Sequence, residues 1–415
     1  MRHTAIAISS LLLGISLIML GNGLLGTLLG VRMTLAEIPT LATGAVMAAY
    51  FGGLAVGAIR GSTLIATVGH IRSFTAFASI YSAASLLHAL YFDPVFWGIL
   101  RFLEGACMAG LFLCTESWLN ERATNDTRGR IMSLYMILIY LAQAFGQFLL
   151  LATPPDTFVL FAIVSAIASI GAVPIALTRQ PQPKPPLPSR MKIRDLYRLS
   201  PLGVVGSFAS GLILGAFYGM GPAYAPLAGL DIDATARFMS VAIIGGLGMQ
   251  WPLGVLSDRM DRRRVIVGVC GGILLVSVAM VILTRSSEGA ILFLSAAFGA
   301  VAFALYPLSV THASDFARDS DFVGVVSGLL LAYSLGATVG PVASSAAMTA
   351  TGASGLFVFT GIVAAAAVGF GVWRMRQRDS VPADRKNSFA ALPRTTPAIS
   401  ELDPRAPADE ELKDG

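Results

Sequence analysis

Charge is the scarcest thing in this 415-residue chain: 13% of its residues are Asp, Glu, Lys or Arg, against 55% that are hydrophobic. Soluble domains carry about 25% charged residues, so the scarcity points away from a soluble protein and towards a membrane. Cysteine is limited to Cys107, Cys114 and Cys270, all inside apolar runs and without metal-ligand spacing, so neither a disulfide framework nor a metal site is indicated. No Gly-Lys pair occurs, which excludes a phosphate-cradling P-loop and, with it, ATP as a fuel. The lysines are Lys184, Lys192, Lys386 and Lys413, outside every apolar run, and a retinal Schiff base is excluded with them. Gly352-Ala-Ser354-Gly355 could suggest a hydrolase serine, but no histidine follows it, and such a nucleophile needs a base within reach. The segments between apolar runs are too short for the folded outer domain of a receptor. No enzyme activity and no cofactor are expected, and the net charge of +5 requires no nucleic-acid partner.

What the chain has in abundance is apolar length. Runs of roughly 20 residues, enough to cross about 30 Å of hydrocarbon, fall at 6–30, 43–65, 73–92, 95–118, 131–151 and 157–177. Six more fall at 202–226, 236–257, 264–284, 289–312, 323–348 and 354–373. They lack the alternation of barrel strands, and lipid-exposed backbone must satisfy its own hydrogen bonds, so each reads as a helix. The expectation is an all-α membrane protein of twelve transmembrane helices. The first run has only Arg2 ahead of it and no small-residue cleavage site, so it is expected to be retained as a span. Of the 29 Lys and Arg, only Arg32, Arg237 and Arg285 fall on one side of this arrangement, with Arg101 inside the membrane. The positive-inside rule then places both termini in the cytoplasm.

Residues 178–200 are proline-rich and basic, the composition of an extended connector, and they split the chain into halves at 1–177 and 201–376. Gly52-Gly53-Leu54 and Gly61 are echoed by Gly245-Gly246-Leu247 and Gly254, and Gly129 by Gly324. The period is one half of the membrane domain, as expected of two parallel six-helix repeats. Residues 377–415 are rich in Pro, Asp, Glu and Arg, and a disordered cytoplasmic tail is expected.

Among residues that could carry function, Arg101 and Glu104 come first. Charges at mid-membrane are costly unless they face a cavity or each other, and a spacing of three puts them on one helix face. Either they neutralise one another structurally, or Arg101 orients a polar solute group while Glu104 binds and releases a proton. Asn22, Gln143, Gln147 and Gln250 are isolated amides that could line a path or simply bond between helices. Gly215 to Tyr224 contains glycines and Pro222 and is expected to break the seventh helix, bringing Tyr218 and Tyr224 to the solute. His312 could relay a proton or be structural, and His88 reads as structural. Glu116 and Asn120-Glu121 close the fourth span, where the acids are expected to pair with Arg122, Arg128 and Arg130; ordinary solvated termini are the alternative.

The loop Gly254-Val-Leu256-Ser-Asp258-Arg259-Met-Asp261-Arg262-Arg263 sets charges between two nearly uncharged runs. It resembles the signature loop of the major facilitator superfamily. The first-half counterpart, Gly61 to Arg72, has Ile65 in place of Asp258. The resemblance implies two halves rocking about a central site, with Gly254, Asp258, Arg259, Arg262 and Arg263 at a cytoplasmic gate, to which charge and position add Glu116, Arg128 and Asp315. Arg101-x-x-x-Gly105 resembles the fourth-helix motif of superfamily antiporters, with Glu104 where a polar residue is usual. Gly336-x-x-x-Gly340-Pro341 resembles the glycine-proline motif of exporters, but in the eleventh span instead of the fifth, which carries Gln143-Ala-Phe-Gly146-Gln147. Gly69-His70-Ile71-Arg72, Glu116-Ser-Trp118-Leu-Asn120 and Tyr306-Pro-Leu look like a bacterial branch of mostly uncharacterised transporters that is similar to alphaproteobacterial riboflavin uptake proteins. The resemblance therefore implies a monomeric secondary transporter for a small solute, located in a bacterial inner membrane. Uptake of a vitamin-like molecule such as riboflavin is set against proton-coupled export of drugs or metabolites.

Overall fold

The structure, a computed structural model, describes residues 2–124, 126–177, 191–283, 287–317, 321–377, 381–382 and 386–406. The first half consists of α1 (Arg2–Leu35), α2 (Thr40–Val68), α3 (His70–Leu87), α4 (Pro94–Arg122), α5 (Arg128–Gly146) and α6 (Val159–Ala176). A short α7 (Ile193–Leu199) precedes the second half. That half consists of α8 (Pro201–Leu227), α9 (Ile232–Arg259), α10 (Arg262–Ile282), α11 (Glu288–Ala302), α12 (Leu305–Ser314), α13 (Phe322–Thr351) and α14 (Gly355–Met375). Among the described residues eleven helical spans are long and apolar enough to cross a membrane, α11 and α12 together forming one. The twelfth is α3, whose sequence is diluted by His70, Arg72 and several hydroxyls.

The starts of these helices follow from local chemistry. Asp93, Asp231 and Asp261 cap α4, α9 and α10 by accepting the amides of Phe96, Ala234 and Arg263, and Ser200 followed by Pro201 starts α8. Such caps satisfy amides that a helix leaves without partners.

The two halves repeat the same packing. Ser82 on α3 bonds to Ser165 on α6 at 2.8 Å, and Ser277 on α10 to Thr360 on α14 at 3.0 Å; the partners are 83 positions apart in both. Gly105 on α4 lies against the backbone of Tyr50 on α2, and Gly299 on α11 against that of Ala242 on α9, where a Cβ would have no room. Between the halves, Gly30 meets Pro222, and Gly44 meets Pro341 and Ser345. These contacts lie at the ends of α1, α8 and α13 and the beginning of α2, so the bundle is closed at the end opposite the Gly254–Arg263 loop.

Three expectations change. The seventh span, α8, runs unbroken through Gly215 to Tyr224, because neighbouring helices pack its glycines and Pro222 merely forfeits one hydrogen bond. Part of the 178–200 connector is the helix α7, anchored by the buried Leu196; residues 178–190 lie outside the described residues. Most important, residues 386–406 of the expected disordered tail are packed into the bundle. Leu392, Ile399 and Leu402 are buried there, so a composition poor in large apolar residues still supplies enough of them to fill an open mouth. Residues 407–415 lie outside the described residues.

Candidate functional site in the central cavity

A cavity of about 130 Å³ lies between the halves, lined from the first by Asn22, Tyr50, Arg101, Tyr140 and Gln143 and from the second by Tyr218, Met239 and Tyr333. At one pole Arg101 Nη1 donates to Glu104 Oε2 at 2.9 Å, and its guanidinium lies 4.2 Å from the centre of the Tyr50 ring. Both ion-pair partners are buried, which makes the pairing obligatory, since a lone charge at this depth would be strongly disfavoured. Arg101 Nε has no hydrogen-bond partner among the described residues, leaving a donor for something else. His88 Nδ1 lies 3.4 Å from Glu104 Oε1 and 2.9 Å from the Ala84 carbonyl, and its ring is stacked on Phe161. Ser85 reaches the same carboxylate at 3.4 Å, and Tyr81 donates to Asn22 at 3.3 Å. Gln147 is committed to the helix packing: its amide donates to the Gly23 and Gln143 carbonyls and accepts from Thr27.

The other pole is aromatic. Phe303 and Tyr140 meet across the halves at 5.7 Å, Tyr218 is 5.9 Å from Phe303, and Tyr333 packs on Tyr306 at 5.2 Å. The tenth span breaks here between α11 and α12, because the residue that should donate to the Phe303 carbonyl is Pro307, which has no N–H. Into this pole reaches Arg394 of the tail. It donates to the Tyr140 hydroxyl at 2.9 Å and the Phe303 carbonyl at 3.4 Å.

At the mouth, Arg262 is buried and holds three segments together. It pairs with Asp258 at 2.7 Å and with Asp315, and donates to the Asn387 carbonyl at 2.9 Å. Arg263 pairs with Asp261 at 2.7 Å. Burial pushes the Asp261 carboxyl up, but the hydrogen bonds and charge of Arg263, with a smaller effect of Lys386, together hold it below the usual carboxylate range. Asp258 also accepts the Phe389 amide at 3.0 Å, and the Phe389 ring covers Gly254. On the first half, Glu116 accepts from Tyr135 at 3.0 Å and from Thr396, while Asn120 donates to Glu401 at 2.8 Å.

Residues 11–329 match the profile of the Major Facilitator Superfamily. The chain belongs to this superfamily. It is 29% identical over 337 residues to the uncharacterised MFS-type transporter YcaD of Escherichia fergusonii, covering 80% of this chain and 86% of that one. The same figures hold for YcaD of Salmonella typhimurium. The fold is similar to that of a variant of the nucleoside transporter NupG, with TM-score 0.76 at 11% identity over 89% of this chain and 99% of the other. It is also similar to a bacterial homologue of the human lysosomal transporter Spinster, inward-facing and occupied, with TM-score 0.73 at 14% identity over 94% and 99%. The chain is therefore a multi-pass membrane transporter of a small solute and not an enzyme.

Within this superfamily fold, Asn22, Arg101, Gln143, Gln147 and Tyr218 line the cavity, and Glu104 stands directly behind Arg101. Tyr224 does not reach it, being buried between Phe238 and Phe357. His312 lies at the far end of α12 against Phe316, away from the cavity. Arg259 is exposed and leaves the loop's bridging to Arg262, one turn further on. Glu116 meets hydroxyls instead of the expected arginines, and Arg128, though buried, has no ion pair among the described residues. Sequence reasoning read His88 as structural and did not name Tyr140, Tyr333 or Arg394 as site residues. Only the clustering of Tyr140 and Phe145 around the fifth-span glutamines, or an arginine inside an apolar tail segment, could have pointed to any of them.

Proposed function

We propose that the chain is a proton-linked secondary transporter in which Arg101 holds an acceptor group of the solute and Glu104 carries the proton. The observation behind this reading is the buried Arg101–Glu104 pair at the cavity wall, with Arg101 Nε unpartnered. A solute carbonyl or carboxylate that draws Arg101 away leaves Glu104 as an uncompensated buried charge. Protonation relieves that penalty. His88, 3.4 Å away, is an adjacent group able to receive or supply the proton, and Tyr50, Tyr81, Ser85 and Cys107 are further polar groups around the pair. Solute and proton then favour each other's binding, and reciprocal coupling of this sign favours symport. With both termini in the cytoplasm of a bacterial inner membrane, symport means uptake. Riboflavin is the first compound to test, on the strength of the sequence resemblance. Proton-coupled export of drugs or metabolites remains the second reading, supported by the aromatic pole, which already accommodates a cation.

In proteoliposomes, Glu104→Gln is expected to abolish pH-driven flux while exchange of solute across the membrane continues. Unchanged pH-driven flux would overturn the role given to Glu104. Direction is read separately, by growth of a riboflavin auxotroph expressing the chain on limiting riboflavin, scored beside its drug sensitivity. Growth supports uptake, and drug resistance without growth supports export.

A further inference from the structure

The tail enters the cavity as a loop and leaves it again. Lys386, Asn387 and Phe389 are tied to the second half at Met260, Asp315 and Asp258. Pro393, Arg394 and Thr395 then form the tip and line the cavity. Thr396 bonds to Glu116 of the first half, a 3-10 turn at Pro397–Leu402 follows, and Glu401 accepts from Asn120. Arg405 finally returns to Thr311 on the second half at 3.0 Å. One segment thus bonds to both halves across the mouth. Tyr140 lies twelve residues beyond the start of α5, so the tip reaches about 18 Å into the bundle at a rise of about 1.5 Å per residue.

The place reached by the tip is defined by the bundle itself. Arg394 Cζ lies 4.7 Å from the Phe303 ring, 5.7 Å from Tyr140 and 5.8 Å from Tyr333. Three ring faces suit a flat, weakly hydrated cation. Two acceptors complete the fit, the Tyr140 hydroxyl and the Phe303 carbonyl. Pro307 denies that carbonyl its helical partner, so a buried acceptor awaits a donor whether or not the tail is present. Among the described residues no carboxylate pairs with Arg394, so the guanidinium is held by rings and neutral oxygens. With the tail in place, about 130 Å³ of cavity remains, whereas pockets for drug-sized molecules are about 300–1,000 Å³. Anything of that size must displace the tip.

We propose that the cage of Tyr140, Phe303 and Tyr333 is a binding site for a planar organic cation of the guanidinium class, and that residues 386–406 are an intramolecular competitor for it which plugs the pathway until such a ligand displaces Arg394. This rests on reading the cavity as the solute pathway and deepens it by naming the chemical group taken at its aromatic end. A tethered ligand competes at an effective concentration in the millimolar range, so the site binds free ligand weakly while the tail is docked.

Benzylguanidine is the probe, with benzylurea as its neutral counterpart of like shape, and the full-length chain is assayed in detergent by calorimetry. Arg394→Ala is expected to bind benzylguanidine about tenfold more tightly than the native chain, the gain for a site whose tail is docked about nine-tenths of the time. Benzylurea should bind neither protein comparably. Equal affinity of the two proteins for benzylguanidine, equal binding of the urea, or no binding to either overturns the proposal. An independent readout uses Ala391→Cys with Arg394 intact. The native cysteines are buried, so labelling by a polar maleimide reports the tail. Labelling should be slow and should accelerate when benzylguanidine is added. Fast labelling that ignores the probe means there is no plug. Neither measurement needs a proton gradient, so a failure of Glu104→Gln to alter flux would remove the coupling mechanism and leave the cage standing.

Discussion

At the scale of single residues, the same type of amino acid can have opposite value along one helix. Gly105 and Gly98 both lie on α4, yet a Cβ at Gly105 would run into the Tyr50 backbone, while at Gly98 it would meet nothing within 4 Å. Gly105→Ala must push α2 and α4 apart, and overpacking of this kind costs about 1–3 kcal/mol. Gly98→Ala should instead be neutral or gain roughly 0.5–1 kcal/mol of helix propensity. Melting temperatures of the two variants in detergent should therefore fall on opposite sides of, or one well below and one close to, the native value. A Gly105→Ala protein that melts with the native one would show that the helices separate at no cost. The site's residues differ in the same way in how visible they are. Arg101 and Glu104 stand out in sequence because charges in an apolar run demand an explanation. His88 does not, because its closeness to Glu104 depends on how α3 lies against α4.

At the scale of elements, the loop between α9 and α10 joins a third helix and the tail through Arg262. Arg262 and Asp315 are both buried. Removing one partner of such a pair leaves an uncompensated charge and costs about 3–5 kcal/mol, so Arg262→Ala should melt far below the native chain. Adding Asp315→Asn should recover much of the loss. The pH dependence has a definite sign. Burial pushes the Asp315 carboxyl above its ordinary 3.8, and Arg262 holds it back; without the arginine it rises further. A carboxyl with a raised folded pKa costs nothing where it is protonated both folded and unfolded. Its cost grows as pH climbs from 3.8 through the folded value. Melting curves of Arg262→Ala should therefore approach those of the double variant as pH falls, and a gap that does not vary with pH would contradict this account. The elements themselves were legible from apolar run length, since lipid forces a helix on each. The break at Phe303 was marked by Pro307, but its use was not. The tail was the least legible, because composition describes a segment alone, and this one is ordered by a mouth that distant spans from both halves assemble.

At the scale of the whole molecule, the two halves touch at the end opposite the loop and are separated at the other by the tail. A transporter that works by alternating access must exchange these conditions, so the contacts of α2 with α13 have to open when the mouth closes. A covalent tie across them should stop flux without disturbing the mouth. Gly52 and Thr338 provide the place: a Cβ at Gly52 would lie 3.8 Å from the Thr338 Cγ2 methyl, so the two positions face each other across the seam, and a disulfide between them needs Cβ atoms about 3.5–4.5 Å apart. The chain's own cysteines are buried and should not compete. Oxidation of the Gly52→Cys, Thr338→Cys protein should abolish solute flux in proteoliposomes, and reduction should restore it. The slow labelling of a cysteine placed at Ala391 should be the same in both states, because the tail sits in the mouth that the tie keeps open. Full flux after complete oxidation would mean that the halves do not part at this seam. Flux lost together with fast labelling at Ala391 would mean that the tie had deformed the cavity instead of locking one side of the cycle.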